Sequence, residues 1–224
     1  HFFDLWQKVY LRCKNTKAYN FNAQDVALRS LKNCALSYLM IKPSQPVLDD
    51  CIAQLEQSDN MTDEISALTA LVHCTQANAK ALQESALNAF YERWKDEALV
   101  VNLWLSVQAA NPEKNALARI KTLMEHPAYD SKNPNKIRSV IAVFCSRNAV
   151  NFHAEDGSGY EFLADQVIIL NKQNPQIAAR LLSPLVKWKK YDPDRQLLMR
   201  SALERIQAQP DLSSDVNEVV LKSL

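Results

Sequence analysis

The sequence predicts an all-α fold, a right-handed superhelix of stacked antiparallel helix pairs of the armadillo or HEAT kind. Apolar residues recur at helical spacing through most of the 224 residues, and only short polar stretches separate the resulting helices. The chain contains only two glycines, so few positions demand an unusual backbone. Asn133-Pro134 and Asn174-Pro175 lie 41 residues apart, which is within the period of such repeats.

The first half of the chain contains five predicted helices. Asn22 and Thr62 stand where their side chains can cap a first helical turn. Pro46 can occupy the first turn of another helix, because its missing N–H would have no partner there. These helices are predicted over approximately residues 23–42, 46–57, 63–72, 80–95 and 97–110. The state of residues 2–14 stays open.

Asn-Pro steps mark helix starts in the second half, at Asn111, Asn133 and Asn174. The asparagine accepts a hydrogen bond from a free first-turn amide, and the proline lacks a donor that would stay unsatisfied. The last helices are predicted over approximately residues 160–172, 176–190, 193–208 and 214–224. Pro184 either leaves the carbonyl of Arg180 without its usual donor or helps to begin a new helix.

Both glycines lie in one stretch, His153-Ala154-Glu155-Asp156-Gly157-Ser158-Gly159-Tyr160. Glycine adopts a positive φ and allows close backbone approach without a steric penalty. The sequence therefore predicts one irregular loop, with a structural role. No linker rich in glycine, serine or proline divides the chain, so residues 1–224 are predicted to form a single domain.

Composition argues against two kinds of partner. The 26 basic and 25 acidic residues give a formal charge of +1, which is not the field of a general nucleic-acid binder. The apolar runs fall far short of the roughly 20 residues that span a bilayer. We therefore expect neither a nucleic-acid nor a membrane partner. The chain begins without methionine or a signal pattern, so we expect a fragment of a longer protein.

No familiar catalytic or metal-binding motif occurs in the sequence. The four histidines form no H-E-x-x-H pair, and no P-loop, G-x-G-x-x-G or G-x-S-x-G motif is present. The five cysteines have no C-x-x-C spacing and fall mostly within apolar helical patterns, which indicates reduced core thiols and a cytoplasmic location. We expect no catalytic residue, metal site or cofactor within this chain.

Two arginines that follow Asn-Pro caps are candidate binding residues. Arg138 falls beside the apolar stripe of its helix, and Arg180 shares a polar face with Gln176, Ser183 and Lys187. In stacked helical layers both guanidinium groups would open onto one concave surface, where they suit a carboxylate. The alternative is that both are ordinary solvated or salt-bridged arginines.

Several separated motifs occur in the order in which one known family carries them. They are Asn60-Met61-Thr62-Asp63, Asn133 to Ser139, Phe152 to Tyr160, Asn174 to Arg180, and Lys190-Tyr191-Asp192. Through these motifs, most of the chain resembles the C-terminal helical domain of bacterial aminopeptidase N.

The resemblance implies a parent protein that is a zinc metalloaminopeptidase of the membrane alanyl aminopeptidase type, which releases N-terminal amino acids from peptides. The zinc ligands and the catalytic glutamate of that family belong to an upstream domain, so the isolated chain is expected to be no enzyme. The C-terminal domain caps the catalytic cleft and lines the substrate channel. By the same resemblance, Arg138 and Arg180 would bind the carboxylate or carbonyls of the peptide, and Gln176 would lie near the pocket for its first side chain. The expected partners are the catalytic domain of the same polypeptide and the peptide substrate.

A stand-alone α-solenoid adaptor that binds a protein or an acidic peptide explains the helices, the arginines and the missing active site equally well. An H-E-x-x-H helix upstream of this chain would favour the peptidase. An independent start codon near His1 would favour the adaptor.

Overall fold

The computed structural model describes residues 2–14, 18–76 and 79–224, and these ranges are helical and contain no strand. The helices of the first half are α1 (Phe2–Cys13), α2 (Ala23–Leu39), α3 (Gln45–Gln57), α4 (Met61–Val72), α5 (Lys80–Trp94) and α6 (Ala98–Ala109). Those of the second half are α7 (Ala116–Glu125), α8 (Pro134–Ile137), α9 (Val143–Arg147), α10 (Ala149–Phe152), α11 (Ser158–Gln173), α12 (Pro175–Leu181), α13 (Pro193–Gln207) and α14 (Ser214–Ser223). Residues 2–13, whose state the sequence does not determine, are therefore helical. None of the described helices is both long and apolar enough to cross a lipid bilayer.

The chain divides into two compact units, His1–Val107 and Gln108–Leu224. In the first unit α1 packs on α2, α3 packs on α4, and α4 also contacts α2 and α5. In the second unit α11 packs on α12 and α13, and α14 contacts the same two helices. The prediction of a single domain stays a prediction.

Asparagine caps begin three helices as predicted. Asn22 Oδ1 accepts a hydrogen bond from the Asp25 N–H at 2.9 Å, and Asn174 Oδ1 accepts from the Ile177 N–H at 3.2 Å. Asn133 likewise caps α8, with a proline in the turn that follows. These short polar side chains satisfy amides that have no partner inside the helix.

The start of α4 corrects one predicted cap. Asn60, rather than Thr62, is the cap, because Asn60 Oδ1 accepts from the Asp63 N–H at 3.0 Å. Thr62 lies inside the helix, where its carbonyl accepts from the Ser66 hydroxyl at 2.6 Å. The helix thus begins earlier than its threonine suggested.

A second predicted cap, Asn111, is also wrong. Its side chain accepts from the Glu113 N–H at 3.0 Å and closes a local turn. The helix begins later, at Ala116, after Asn115 with a φ of 62°. Asparagine adopts this left-handed conformation more readily than most residues, and it does so here where glycine would be the usual choice.

A buried polar network joins α2, α3 and the start of α4. Asp63 Oδ2 accepts from Lys32 Nζ at 2.7 Å, and Asp63 Oδ1 accepts from Asn33 Nδ2 at 2.9 Å. Gln54 donates to Asn33 Oδ1 at 2.8 Å and to the Asp63 carbonyl at 3.0 Å. Lys32 and Asp63 are 8% and 6% exposed, so each charge depends on the other for compensation.

The glycine stretch forms the loop that the sequence predicted. Gly157 has a φ of 73° and precedes α11. A Cβ on Gly159 would lie 2.3 Å from the carbonyl oxygen of Phe152 and 2.7 Å from its Cα. A residue without a side chain is therefore needed where α11 passes the backbone of α10.

The helix predicted over residues 176–190 is divided. Its first part, α12, ends at Leu181, and a 3₁₀ helix covers Leu185–Lys190. The carbonyl of Arg180 accepts from the Ser183 N–H at 3.3 Å, so the prediction of a free acceptor there is wrong. Pro184 instead marks the start of a new helix, which was the alternative.

A π-helical turn, Arg138–Ala142, connects α8 to α9. The N–H of Val143 bonds to the carbonyl of Arg138, five residues back instead of four. The predicted apolar stripe is buried within the turn and on both sides of it. Its members are Ile137, Val140, Ile141 and Phe144.

Candidate functional site

Gln176 and Arg180 lie one turn apart on the exposed face of α12. The opposite face is buried through Ile177, Ala178 and Leu181. The Arg180 side chain makes no hydrogen bond or ion pair with any residue that the structure describes. Since a guanidinium carries five N–H donors in a planar fork, this face offers a carboxylate a bidentate partner.

Arg138 begins the π-helical turn and is also exposed. Its Nη1 donates to Asn135 Oδ1 at 3.2 Å, while the Ser139 hydroxyl donates to the Asn135 carbonyl at 2.7 Å. Asn135 is therefore bonded through both its side chain and its backbone. The other guanidinium N–H groups of Arg138 make no bond to the described residues.

The three predicted site residues all lie in the second unit, and two of them share a face. Gln176 and Arg180 lie on α12, and the exposed Ser183 and Lys187 follow beyond its end, as the polar pattern predicted. Arg138 lies on another helix, and no hydrogen bond or ion pair among the described residues links it to the other two. A concave surface common to both arginines stays a prediction.

A cluster of aromatic and charged residues holds the glycine loop against the start of α13. The His153 ring stacks on Tyr191 with centroids 4.4 Å apart, and its Nδ1 lies 2.8 Å from the Tyr160 hydroxyl oxygen. Arg195 Nε donates to the His153 carbonyl at 3.1 Å, and Arg195 Nη1 pairs with Asp192 Oδ2 at 2.9 Å. Burial raises the pKa of Tyr160 to about 12, so the phenol stays neutral. Sequence reasoning missed this cluster, because Arg195 and His153 are 42 positions apart.

We expect the fold to lose stability as the pH falls, in part through His153. Burial, and secondly the charge of Arg195, lowers the pKa of His153 below its ordinary 6.5. The unfolded chain therefore takes up this proton at a higher pH than the folded protein. The contribution of His153 to stability is fully present above its pKa in the unfolded chain. This contribution is lost as the pH falls through its lower pKa in the folded protein.

His153→Gln removes the titration and keeps a hydrogen-bonding group towards Tyr160. Between about pH 7 and about pH 5 its Tm should fall less than that of the wild type, and equal falls would contradict this assignment.

The remaining candidate chemistry is limited. The described residues contain no group of three or more His, Cys, Asp or Glu side chains that could hold a metal ion. All five cysteines are free, and all except Cys34 are buried. Burial raises the pKa of Cys51 to about 12 and also raises that of Cys145, which disfavours the reactive thiolate. The predicted core position is thus confirmed for four of the five cysteines.

Comparisons with known proteins agree on one family. A family model described as a domain of unknown function with ARM repeats (DUF3458_C) matches residues 1–224. Aminopeptidase N of Haemophilus influenzae is 38% identical over 208 residues, which cover 92% of this chain and 23% of that protein. Aminopeptidase N of Escherichia coli is 37% identical over the same shares of the two chains. Aminopeptidase N of Caulobacter vibrioides is 34% identical over 224 residues, which cover 100% of this chain and 26% of that protein.

A solved structure has the same fold. The crystal structure of Legionella pneumophila aminopeptidase A in complex with aspartic acid matches with a TM-score of 0.85 and 31% identity, over 97% of this chain and 26% of that one. The predicted all-α, armadillo-like fold class is confirmed. The chain spans about a quarter of the length of these relatives. It belongs to the DUF3458_C family of ARM-repeat domains, as a C-terminal helical domain of the bacterial aminopeptidase N type.

Proposed function

We propose that this chain is the part of a zinc-dependent aminopeptidase that caps the catalytic cleft and lines the channel for the peptide substrate. The observation that carries the proposal is Arg180, an exposed guanidinium with no partner among the described residues, one turn from Gln176. Peptides present carboxylate and carbonyl oxygens that such a group binds well. The names of the matched relatives support peptides as the substrate class.

The chemical step belongs to the parent protein outside this chain. When bound there, zinc supplies a Lewis acid that polarises the scissile carbonyl and activates water. We assign no reacting group to this chain. Arg138 and Arg180 hold oxygens of the peptide, and Gln176 lies near its first side chain. A peptide held in register reacts faster through geometry alone.

The exposed side chains of α1 support an intramolecular partner. Phe2, Leu5 and Leu11 are 74%, 49% and 50% exposed. Covering such large apolar groups is favourable by about 25 cal/mol per Å² of apolar surface. The proposed partner is the catalytic domain of the same polypeptide, because the matched relatives are about four times as long as this chain. A cytoplasmic location is part of the same proposal.

An adaptor that binds a protein or an acidic peptide through the same exposed guanidinium is the second candidate function. The coding sequence upstream of His1 separates the two. A helix with H-E-x-x-H would place a zinc-binding catalytic domain there and favour the peptidase. A start codon near His1 would favour the adaptor.

We expect Arg180→Ala in the parent enzyme to lower kcat/KM for tripeptides at least about tenfold. Losing a hydrogen bond to a charged group costs about 1.5 to 3 kcal/mol, and each 1.4 kcal/mol corresponds to about tenfold. Aminoacyl anilides lack the peptide carboxylate, so their kcat/KM should change by less than about twofold. Steady-state kinetics with tripeptides and with aminoacyl anilides measures kcat/KM for both.

Arg200→Ala is the matched control for this substitution. Arg200 is also exposed, but its Nε pairs with Glu204 Oε1 at 2.8 Å on α13. Its removal should leave both substrate kinds unaffected. Equal losses for tripeptides and anilides in Arg180→Ala would argue against a role for Arg180 in the channel.

A further inference from the structure

An apolar cavity of about 180 Å³ lies among α3, α4 and α5 in the first unit. Its lining includes large aliphatic and aromatic side chains. Among them are Ile52, Leu55, Leu71, Leu82 and Phe90. An engineered apolar cavity of about 150 Å³ accepts benzene, so this volume suits one small apolar group.

One wall of this cavity carries a buried carboxylate, that of Glu64. The residue is 3% exposed, and its Oε1 accepts from Trp94 Nε1 at 2.9 Å and from Arg93 Nη1 at 3.3 Å. Its second oxygen, Oε2, accepts no hydrogen bond from the described residues. An ionised carboxylate has about four acceptor sites, and Oε2 is not among the buried atoms that lack a partner, so solvent reaches it. A ligand that displaces this solvent has to donate a hydrogen bond in its place. The carboxylate therefore favours a ligand that donates.

The charges that line the cavity favour a cation. Glu56 and Glu64 both line it, against a single cation, Arg93, among the described lining residues. The Arg93 side chain is 52% exposed, so water weakens its attraction to Glu64. The guanidinium carbon also lies 5.2 Å from the centroid of the Trp94 ring. An incoming ammonium would thus meet an incompletely compensated negative charge beside apolar walls.

We propose that this cavity binds a small hydrophobic primary amine. The ammonium group donates to Glu64 Oε2, and the apolar group fills the space beside Leu71 and Phe90. A neutral hydrocarbon leaves the carboxylate oxygen without a donor, and an organic acid is repelled by it. The site uses neither Arg138 nor Arg180 and goes beyond the proposed function.

The test uses 4-fluorobenzylamine as the probe, titrated into the parent enzyme and followed by ¹⁹F NMR line broadening. Ala86→Phe fills the cavity, and Glu64→Gln removes the charge, so each should weaken binding at least about tenfold. Asn88→Phe is the matched control, because residue 88 is exposed on the same helix and does not line the cavity. The catalytic site is present in every variant, so its contribution to binding is constant.

A neutral probe tests the role of the charge. We expect 4-fluorobenzyl alcohol, which has the same ring without an ammonium, to bind at least about tenfold more weakly than the amine. Ala86→Phe leaves Glu64 unaltered, and Glu64→Gln keeps an acceptor for Trp94, so the two variants test the site independently. Unchanged amine binding in both variants, or equal binding of amine and alcohol, would overturn the proposal.

Discussion

Gly159→Ala should destabilise the protein by about 3 kcal/mol or more, at the upper end of what overpacking causes. The new Cβ would lie 2.3 Å from the Phe152 carbonyl oxygen and 2.8 Å from its carbonyl carbon. The obstructing atoms belong to the backbone, which cannot rotate away as a side chain can. Phe152 is fully buried and packs edge-on against Phe144 and Tyr160, with centroids 6.2 and 5.3 Å away. Urea unfolding followed by circular dichroism gives the free energy of unfolding.

Gly157→Ala is the matched control two residues away. The three atoms nearest to its Cβ would all belong to the Leu198 side chain, the closest at 3.2 Å, and Leu198 can adjust. The φ of 73° at Gly157 still imposes strain of about 1 to 2 kcal/mol on an alanine. The loss should therefore be clearly smaller than for Gly159→Ala. A loss at Gly159 no larger than the loss at Gly157 would show that close approach to Phe152 does not explain Gly159, whose φ is not positive.

Asp63→Ala should lower the free energy of unfolding by about 3 to 5 kcal/mol, because it leaves a buried ammonium without its partner. Lys32 is 8% exposed, and its Nζ bonds to Asp63 Oδ2 at 2.7 Å. The same substitution removes the acceptor of Asn33 Nδ2. Thermal and urea unfolding of wild type and variant measure the loss.

Two comparisons separate a charge effect from simple loss of packing. The double substitution Lys32→Met with Asp63→Leu removes both charges and should cost less than Asp63→Ala alone. Glu204→Ala breaks a pair with Arg200 whose side chains are 55% and 50% exposed, and it should cause no measurable change. If Asp63→Ala cost no more than Glu204→Ala, the buried pair would have no role in stability.

Most of the helical fold is predictable from the sequence because its signals are local. Asn22, Asn133 and Asn174 each cap a helix with a bond to an amide two or three residues ahead. The buried stripe of a helix such as α12 can be read from the sequence, because its apolar residues recur every three to four positions. The two glycines likewise mark their own loop, because glycine is the residue type used where a side chain cannot be accommodated.

The structure differs from the sequence-based prediction where two residues of similar chemistry could both cap a helix. It also differs where no sequence pattern indicates the backbone geometry. Asn60 and Thr62 are both good caps, and only the structure shows which one has the extended backbone of a cap. Asn115 takes a left-handed conformation that periodicity alone does not distinguish from a helical residue. The division of the 176–190 helix depends on Pro184, for which the sequence allows either of two effects.

The candidate site is predictable only in part for the same reason. Exposure of Gln176 and Arg180 follows from their place on one helix, and the structure agrees. Whether Arg138 meets the same ligand depends on packing between helices, which no local pattern determines. The cluster around His153 and the carboxylate of Glu64 also arise from distant contacts, so neither could be found by reading neighbouring residues.

The π-helical turn at Arg138–Ala142 constrains which insertions and deletions this helix can tolerate. The turn holds one residue more than an α-helical turn, so removing one residue from it would restore a continuous α-helix and leave the later positions near their present orientation. The same deletion in a regular helical turn would rotate every later position by about 100° and carry buried side chains such as Phe144 and Cys145 away from the core. The turn is thus the position in this helix where one residue can be lost with the least disturbance to the core, although the loss would change the backbone that presents Arg138.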